Sequence, residues 1–156
     1  MTERAVAAGD CIHATAIVVG SCGMLFVGPS GSGKSRTAFA CLNAALARGW
    51  NAALIADDQT ALTVTGGRCI ASCPEPIRGL LELRGTGIVT LPALGRAVMD
   101  IVIAPTVPSG ATRLPPEAET FSCNGIRLPL MRLWPDGPVD PLSCIRAARP
   151  ELFLAR

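Results

Sequence analysis

Apolar positions along the chain come mostly in short runs. Runs rich in Val, Ile, Leu, Ala and Thr, bounded by Gly, Pro and Asp, are typical of buried strands. A turn of two glycines, Gly66-Gly67, separates two of these runs and predicts a hairpin. The predicted strands cover residues 11–19, 24–27, 52–56, 61–65, 68–72, 87–91, 98–103 and 125–133.

Other segments favour helices or loops. In Lys34–Arg48, Ala, Leu and Phe recur on one face and Gly49 follows as a stop signal. Shorter helices are predicted over Pro76–Leu83, with Pro in the first turn, and over Pro141–Ala148. The Pro- and Ser-rich stretch Ala104–Pro116 is predicted to be a loop. The order of elements predicts an α/β fold whose sheet is mixed, with hairpins, rather than purely parallel.

The composition indicates one folded domain spanning residues 1–156. Of these residues 49% are hydrophobic and 17% charged, and the net charge of +2 is too small to indicate nucleic acid or a membrane surface as a partner. The apolar region 14–27 is interrupted by Gly20, Ser21 and Gly23, which favours two strands over a membrane span. The first ten residues lack the apolar core of a signal peptide, so we expect a cytoplasmic protein.

Seven cysteines, an odd number at irregular spacings, fall mostly inside apolar runs. A thiol in such a run behaves as a small hydrophobic group, so we expect reduced cysteines. Cys69 and Cys73 form a C-x-x-x-C pair without a second pair or a nearby histidine, which argues against a metal site there.

The stretch 28-GPSGSGKS-35 fits the phosphate-binding pattern G-x-x-x-x-G-K-[ST], between a predicted strand and a predicted helix. Glycines let backbone N–H groups approach phosphate oxygens, and the start of the helix favours an anion. Lys34, the only lysine of the chain, is expected to reach the terminal phosphates, and Ser35 to ligate Mg²⁺. The predicted nucleotide-binding residues are Gly28, Pro29, Ser30, Gly31, Ser32, Gly33, Lys34 and Ser35.

Acidic residues follow the next predicted strand, in 52-AALIADD-58. Two adjacent carboxylates can divide the work, one near Mg²⁺ and one placed to take a proton. The alternative is that Asp57 and Asp58 cap the following turn, as aspartate often does. His13 is the only histidine, and in its apolar setting it is, taken alone, more typical of a hydrogen-bonded core residue.

The segment 81-LELRGTGIV-89 is a third candidate. Glu82 could supply a second carboxylate to a metal ion, and Arg84 could contact phosphate. The alternative, which the segment alone favours, is a solvated helix end with an exposed charge pair.

Together these motifs resemble the catalytic domain of HPr kinase/phosphorylase. That family's loop is similar to GPSGSGKS, and its histidine lies 21 residues before the loop lysine, as His13 does before Lys34. Its ADD strand end is similar to residues 56–58, and its segment L-E-[IL]-R-G-x-G-I is matched by residues 81–88. A downstream Arg-Leu pair looks like Arg113-Leu114.

The resemblance implies a phosphoenolpyruvate-carboxykinase-like HPr kinase catalytic domain, in a short form without the N-terminal regulatory domain, like those of some alphaproteobacteria. It implies a kinase that uses ATP and Mg²⁺ to phosphorylate a serine of the phosphocarrier protein HPr, and a hexameric assembly.

The resemblance also implies roles for individual residues. Asp58 would accept the seryl proton, His13 would tune the surroundings of Asp58, and Lys34 would stabilise phosphate charge. Arg113 would meet the transferring phosphoryl group or its acceptor. The implied metal residues are Ser35, Asp57 and Glu82, with Asp57 either ligating or orienting.

The chain departs from the family in three places. Near the C-terminus, 134-WPDGPV-139 stands where the family has P-V-R-P-G-R, a segment linked to dephosphorylation, which leaves the phosphorylase activity unsupported. Pro29 and Arg36 stand where many members have Asp and Glu. Two other readings stay open: another P-loop kinase or NTPase acting on a small molecule, and a nucleotide sensor without catalysis.

Overall fold

The computed structural model describes residues 3–6, 10–110 and 114–154. The strands are β1 (Glu3–Val6), β2 (Cys11–Ile12), β3 (Thr15–Val19), β4 (Cys22–Phe26), β5 (Ala52–Ala56), β6 (Thr60–Thr65), β7 (Arg68–Ser72), β8 (Leu80–Leu83), β9 (Gly87–Thr90), β10 (Arg96–Val98), β11 (Ile101–Pro105), β12 (Thr120–Cys123) and β13 (Ile126–Leu133). The helices are α1 (Lys34–Ala47) and α2 (Pro141–Ala148), with 3₁₀ turns at Glu75–Ile77 and Pro150–Phe153.

These strands form three sheets. The largest has seven strands in the order β1-β12-β13-β11-β4-β3-β5, the second has the order β10-β7-β6-β2, and β8 pairs with β9. In the large sheet β4, β11 and β13 run parallel, whereas β3 is antiparallel to β4 and β5. The predicted α/β fold with a mixed sheet and hairpins is therefore confirmed.

The large sheet lies between two apolar cores. Successive side chains of a strand point to opposite faces, so Met24 and Phe26 of β4 pack with α1 and α2, while Leu25 faces the other way. On that second face Leu62 and Ala71 of the four-stranded sheet complete the core. Burial on both faces explains why the central strands β4 and β11 have no polar side chain.

Two predicted strands are in fact divided between sheets. The predicted strand 11–19 is broken after Ile12, because β2 pairs with β6 whereas β3 pairs with β4 and β5. The predicted strand 98–103 is broken likewise between β10, in the four-stranded sheet, and β11, in the seven-stranded one. In both segments a polar residue lies at the break, His13 in the first and Asp100 in the second.

The crossing from β10 to β11 depends on a glycine. A Cβ at Gly23 would lie 1.8 Å from the carbonyl oxygen of Val98, so only glycine fits beneath this crossing. Gly23 N donates to the Asp100 carboxylate at 2.9 Å, and Asp100 N donates to the Gly23 carbonyl at 2.8 Å. These bonds hold the crossing against β4.

The helix predicted over Pro76–Leu83 is wrong. Gly79 has a positive φ of 81°, which ends the 3₁₀ turn, and β8 then pairs with β9 as a hairpin. Leu81 is fully buried in the core next to α1, which a strand achieves with alternate residues. The predicted helices over 34–48 and 141–148 are confirmed, the first ending at Ala47.

The sequence reading did not include β1 and β12. The turn Asn124-Gly125, with positive φ at both residues, joins β12 to β13 as a hairpin.

None of the seven cysteines, all within the described residues, forms a disulfide. Burial raises the pKa of Cys41 and of Cys69 to about 12. No helix in the described ranges is both long and apolar enough to cross a membrane.

Candidate active site

The phosphate-binding pattern lies between β4 and the first residue of α1, where the sequence predicts it. Gly33 is the residue before the helix and has a positive φ of 95°. The Lys34 ammonium donates to the carbonyl oxygens of Gly28 at 2.8 Å and Pro29 at 3.0 Å, so the side chain folds back over its own loop. The loop therefore curls around the ammonium group.

Close packing inside the loop explains its first glycine. A Cβ at Gly28 would lie 2.8 Å from Ser32 Oγ, which is closer than side chains approach, and Gly28 also has a positive φ of 146°. Ser32 Oγ is buried and has no hydrogen-bond partner in the described part of the chain. An unsatisfied buried hydroxyl is costly in a finished core but suits a loop that binds an oxygen-rich ligand.

Beneath the loop, the Asp57 carboxylate is buried and accepts three hydrogen bonds. Thr15 Oγ1 donates to Oδ1 at 2.8 Å, Ser35 Oγ donates to the same oxygen at 2.6 Å, and Glu82 N donates to Oδ2 at 3.0 Å. Asp57 thus joins β3, α1 and β8 at one point. We call Thr15, Lys34, Ser35 and Asp57 the floor of the site.

Burial also affects the lysine of the floor. Lys34 is 7% exposed, and this desolvation lowers the pKa of its ammonium below the ordinary value. The carboxylates of Asp58 and Asp57 act in the opposite direction, because a nearby negative charge favours the protonated form. A charged ammonium held in a poorly hydrated place binds phosphate more strongly than one in open solvent.

His13 and Asp58 lie above the floor and contact each other through His13 Nε2 and Asp58 Oδ1, an ion pair when the imidazole carries its second proton. They meet because both lie in connections between the two larger sheets, His13 between β2 and β3 and Asp58 between β5 and β6. Antiparallel pairing of β3 with β5 and of β2 with β6 brings these connections together. Both side chains are more than half exposed.

The β8–β9 hairpin supplies Glu82 and Arg84. Both line a cleft of about 560 Å³ together with His13, Lys34 and Asp58. The Arg84 guanidinium would lie 3.5 Å from a Cβ at Gly31, so it flanks the loop. The solvated helix end considered for this segment is wrong, because the segment is a hairpin whose tip faces the loop.

The cleft brings together most of the residues that the sequence singled out. It is lined by His13, Thr15, Ser30, Gly31, Gly33, Lys34, Ser35, Arg36, Asp58, Glu82, Leu83, Arg84 and Thr86. Asp57 lies directly below, bonded to Ser35, whereas Arg113 is outside the described residues. We call the exposed members with ionisable side chains, His13, Arg36, Asp58, Glu82 and Arg84, the rim.

Thr15 was missed by sequence reasoning. The register of β3 and β5 pairs Ala16 with Ala56, and one step further Thr15 reaches Asp57. The signal was that Thr15 lies opposite Asp57, the first residue after β5. This signal can be recognised only when the pairing of β3 with β5 is known.

The donor set suits Mg²⁺ better than a metal with an all-protein cage. In the described ranges no three His, Cys, Asp or Glu side chains cluster as a metal site. Mg²⁺ is usually held by one or two carboxylates, a hydroxyl and substrate phosphates. Ser35, Asp57 and Glu82 surround the end of the loop and fit that pattern.

Comparison with known proteins gives the family and the fold of the chain. A family model described as the HPr Serine kinase C-terminal domain matches residues 4–98. The chain is similar to HPr kinase/phosphorylase of Clostridium tetani, 37% identical over 92 residues, or 58% of this chain and 28% of the relative. For the protein of the same name from Brevibacillus brevis the identity is 37% over 90 residues, or 57% and 27%. The matched region thus spans little more than a quarter of these curated relatives.

Among solved structures, the fold is similar to that of the Hpr(Ser) kinase/phosphatase from Coxiella burnetii. The TM-score is 0.74 at 23% identity, with 92% of this chain and 98% of that chain covered. This structural similarity shows the fold. The family model matches residues 4–98, a range that includes every residue of the cleft lining. The chain belongs to the HPr serine kinase C-terminal domain family.

Proposed function

We propose that this protein is an ATP-dependent kinase that phosphorylates a seryl hydroxyl of an HPr-type phosphocarrier protein. One observation carries the proposal: the lysine of a phosphate loop and an exposed Asp58–His13 pair face the same cleft. The names of the relatives, HPr kinase/phosphorylase, support the acceptor. The WPDGPV segment is our reason to propose the kinase reaction without the phosphorylase reaction.

The floor would bind the phosphates. The loop N–H groups and the Lys34 ammonium would stabilise the charge on the transferring phosphoryl group. The Lys34 ammonium is already desolvated in the folded protein, so binding of the phosphates does not add this desolvation cost. Ser35 and Glu82 would hold Mg²⁺, which neutralises charge on the phosphate oxygens when bound. Asp57 would keep the Ser35 hydroxyl in place through their 2.6 Å hydrogen bond.

The rim would receive the acceptor. Asp58 would take the proton of the seryl hydroxyl as the seryl oxygen attacks the γ-phosphorus of ATP and the bond from that phosphorus to the departing ADP breaks. His13 would orient the Asp58 carboxylate through their contact. The exposure of both side chains supports this role, because the hydroxyl of another protein must reach them. Contact of Arg113 with the transferring group and a hexameric assembly are proposed on the family resemblance alone.

The direct test is incubation of the protein with Mg²⁺, labelled ATP and the HPr of its own host, followed by mapping of any phosphoserine. We expect one labelled serine in HPr. Label on nucleosides or sugars but not on HPr would instead identify a small-molecule kinase. ATP binding without any transfer would identify a nucleotide sensor.

The role of Asp58 is tested by Asp58→Asn. Removal of a general base typically costs about 10²–10⁴-fold in rate, so we expect transfer to HPr to fall by that factor. ATP affinity should stay close to that of the original protein, because Asp58 lies on the rim. Asp10→Asn, an exposed aspartate away from the cleft lining, is the matched control and should leave transfer unchanged. Near-normal transfer by Asp58→Asn would refute the assignment.

A further inference from the structure

Arg36 is a rim residue for which the proposed reaction has no role so far. It is the third residue of α1, and its guanidinium has two neighbours. Nη1 lies 3.0 Å from Asp136 Oδ1. The opposite edge faces the loop, since a Cβ at Gly33 would lie 3.2 Å from Nη2 and 3.7 Å from Nε.

Asp136 reaches Arg36 because of the sheet topology. The parallel strands β4 and β13 end at the same edge of the sheet, β4 leading into the phosphate loop and β13 into the segment 134–138. The Asp136 carboxylate therefore lies beside the first turn of α1. No other contact is needed to explain the pairing.

The orientation of the guanidinium matters more than the strength of the ion pair. Arg36 and Asp136 are 61% and 58% exposed, and exposed pairs of this kind add little to stability. Asp136 binds Nη1 of the planar guanidinium, and the edge formed by Nε and Nη2 faces the loop. That edge is the fork with which arginine binds a phosphate through two parallel hydrogen bonds.

The charge balance of the site also leaves a use for Arg36 in addition to Lys34 and to Arg84, which flanks the loop. Lys34 is the only lysine of the chain, and two of its ammonium hydrogens already serve carbonyl oxygens of the loop. A nucleotide phosphate chain carries several negative charges. A guanidinium stays protonated at every physiological pH, so Arg36 is a constant positive charge at the mouth of the loop.

We propose that Arg36 binds the phosphate chain of the nucleotide through its Nε–Nη2 edge, and that Asp136 is the positioning residue that turns this edge toward the loop. The inference rests on the proposed function only in taking a nucleotide as the ligand. It assigns a use to two of the positions at which the chain departs from the family pattern, Arg36 and the segment containing Asp136.

The test measures binding of ATP, ADP and adenosine by calorimetry, without HPr. A hydrogen-bonded charge contact of this kind corresponds to about tenfold or more in affinity, so Arg36→Gln should weaken ATP and ADP by that factor and leave adenosine unchanged. Arg36→Lys should recover only part, because lysine keeps the charge and lacks the fork. Arg68→Gln, an exposed arginine of β7 outside the cleft, is the matched control.

Asp136→Asn tests the positioning role. It should lower ATP affinity when residue 36 is arginine, and it should leave the affinity of the Arg36→Gln protein within about twofold, because Asp136 then has no guanidinium to orient. An equal change in both backgrounds would refute the positioning role. Unchanged ATP affinity in Arg36→Gln, or an equal loss for adenosine, would refute the phosphate contact.

These results separate the inference from the proposed function. ATP binding that depends on Arg36 without transfer to HPr would support the phosphate contact and contradict the kinase proposal. Transfer to HPr with ATP affinity independent of Arg36 would do the reverse. Failure of the unaltered protein to bind ATP at all would overturn both.

Discussion

Two adjacent carboxylates, Asp57 and Asp58, show how differently the floor and the rim of the cleft are built. Asp57 is 6% exposed and accepts hydrogen bonds from three elements, whereas the Asp58 side chain is 68% exposed and pairs with His13. The peptide between them passes from the core to solvent, and Asp58 has a positive φ of 70°. One carboxylate is part of the fold and the other is presented to a partner.

The same contrast holds for the cations. Lys34 of the floor is buried and donates to loop carbonyls, while Arg36 of the rim is exposed and forms an ion pair with Asp136 at the surface. Substitutions in the floor should therefore affect stability and activity together, and substitutions in the rim should affect activity or binding alone. Two predictions test this division, and a third extends the comparison to a surface carboxylate outside the cleft lining.

The largest effect on stability is expected for Asp57→Asn. An amide in place of the carboxylate turns one acceptor into a donor that faces the donors Thr15 Oγ1, Ser35 Oγ or Glu82 N. A buried group without a partner costs about 1–3 kcal/mol, and more where charge is involved, so we expect a loss near 3 kcal/mol in the free energy of unfolding. Urea denaturation followed by circular dichroism measures it.

Asp58→Asn is the matched control for this prediction. Asparagine tolerates the left-handed backbone of residue 58, and the side chain is exposed, so stability should change by no more than about 0.5 kcal/mol. Equal destabilisation by both substitutions would contradict the division into floor and rim.

Apart from Thr15, the arrangement of the floor was easier to predict from the sequence than that of the rim. The loop, its lysine and the strand ending at Asp57 follow local patterns, because a strand–loop–helix unit is encoded by neighbouring residues. The pairing of His13 with Asp58 depends on two crossings between sheets, and residues 11–19 were predicted as one strand although His13 lies at the first crossing. Only the family resemblance suggested that these two side chains meet.

The β8–β9 hairpin illustrates the same limit. Pro in a first turn and a charged LELR segment favour a helix locally, but Leu81 must reach the core beside α1 while Glu82 faces the cleft. The alternation of a strand satisfies both demands, and tertiary packing overrides the local preference. The role inferred for Arg36 likewise depends on Asp136, 100 residues away in the chain.

A smaller loss of stability is expected for Gly28→Ala. This substitution tests whether the phosphate loop is packed as tightly as the surroundings of Asp57. The new Cβ would lie 2.8 Å from Ser32 Oγ, and φ at residue 28 is 146°. Strain of this kind costs about 2 kcal/mol, and ATP affinity should fall with it because the loop must move. Gly110→Ala, where a Cβ would meet nothing within 4 Å, is the control for unfolding. If the free energy of unfolding of Gly28→Ala equals that of the control, the loop accommodates the added methyl group without strain.

The smallest effect concerns a surface carboxylate that, unlike Asp58, has local partners. Asp140 precedes α2 and accepts hydrogen bonds from Ser143 N at 3.1 Å and from Ser143 Oγ, with Arg48 at 3.6 Å. Asp140→Ala should cost about 1 kcal/mol in the free energy of unfolding, the usual contribution of such a cap. The outcome decides whether exposure alone makes a carboxylate dispensable to the fold.

The pH dependence identifies the cause of that loss. Hydrogen bonds from Ser143 first, then the charge of Arg48, hold the pKa of Asp140 below its ordinary value of 3.8. A lowered pKa in the folded state means that the stabilisation is fully present above that value and is lost as pH falls through the folded-state pKa. Urea unfolding at about pH 7 and about pH 2.5 should show the difference between Asp140→Ala and the original protein shrinking in acid. A difference that stays constant would mean that the cap acts through the shape of the side chain, and an exposed carboxylate would then need no charge to stabilise this fold.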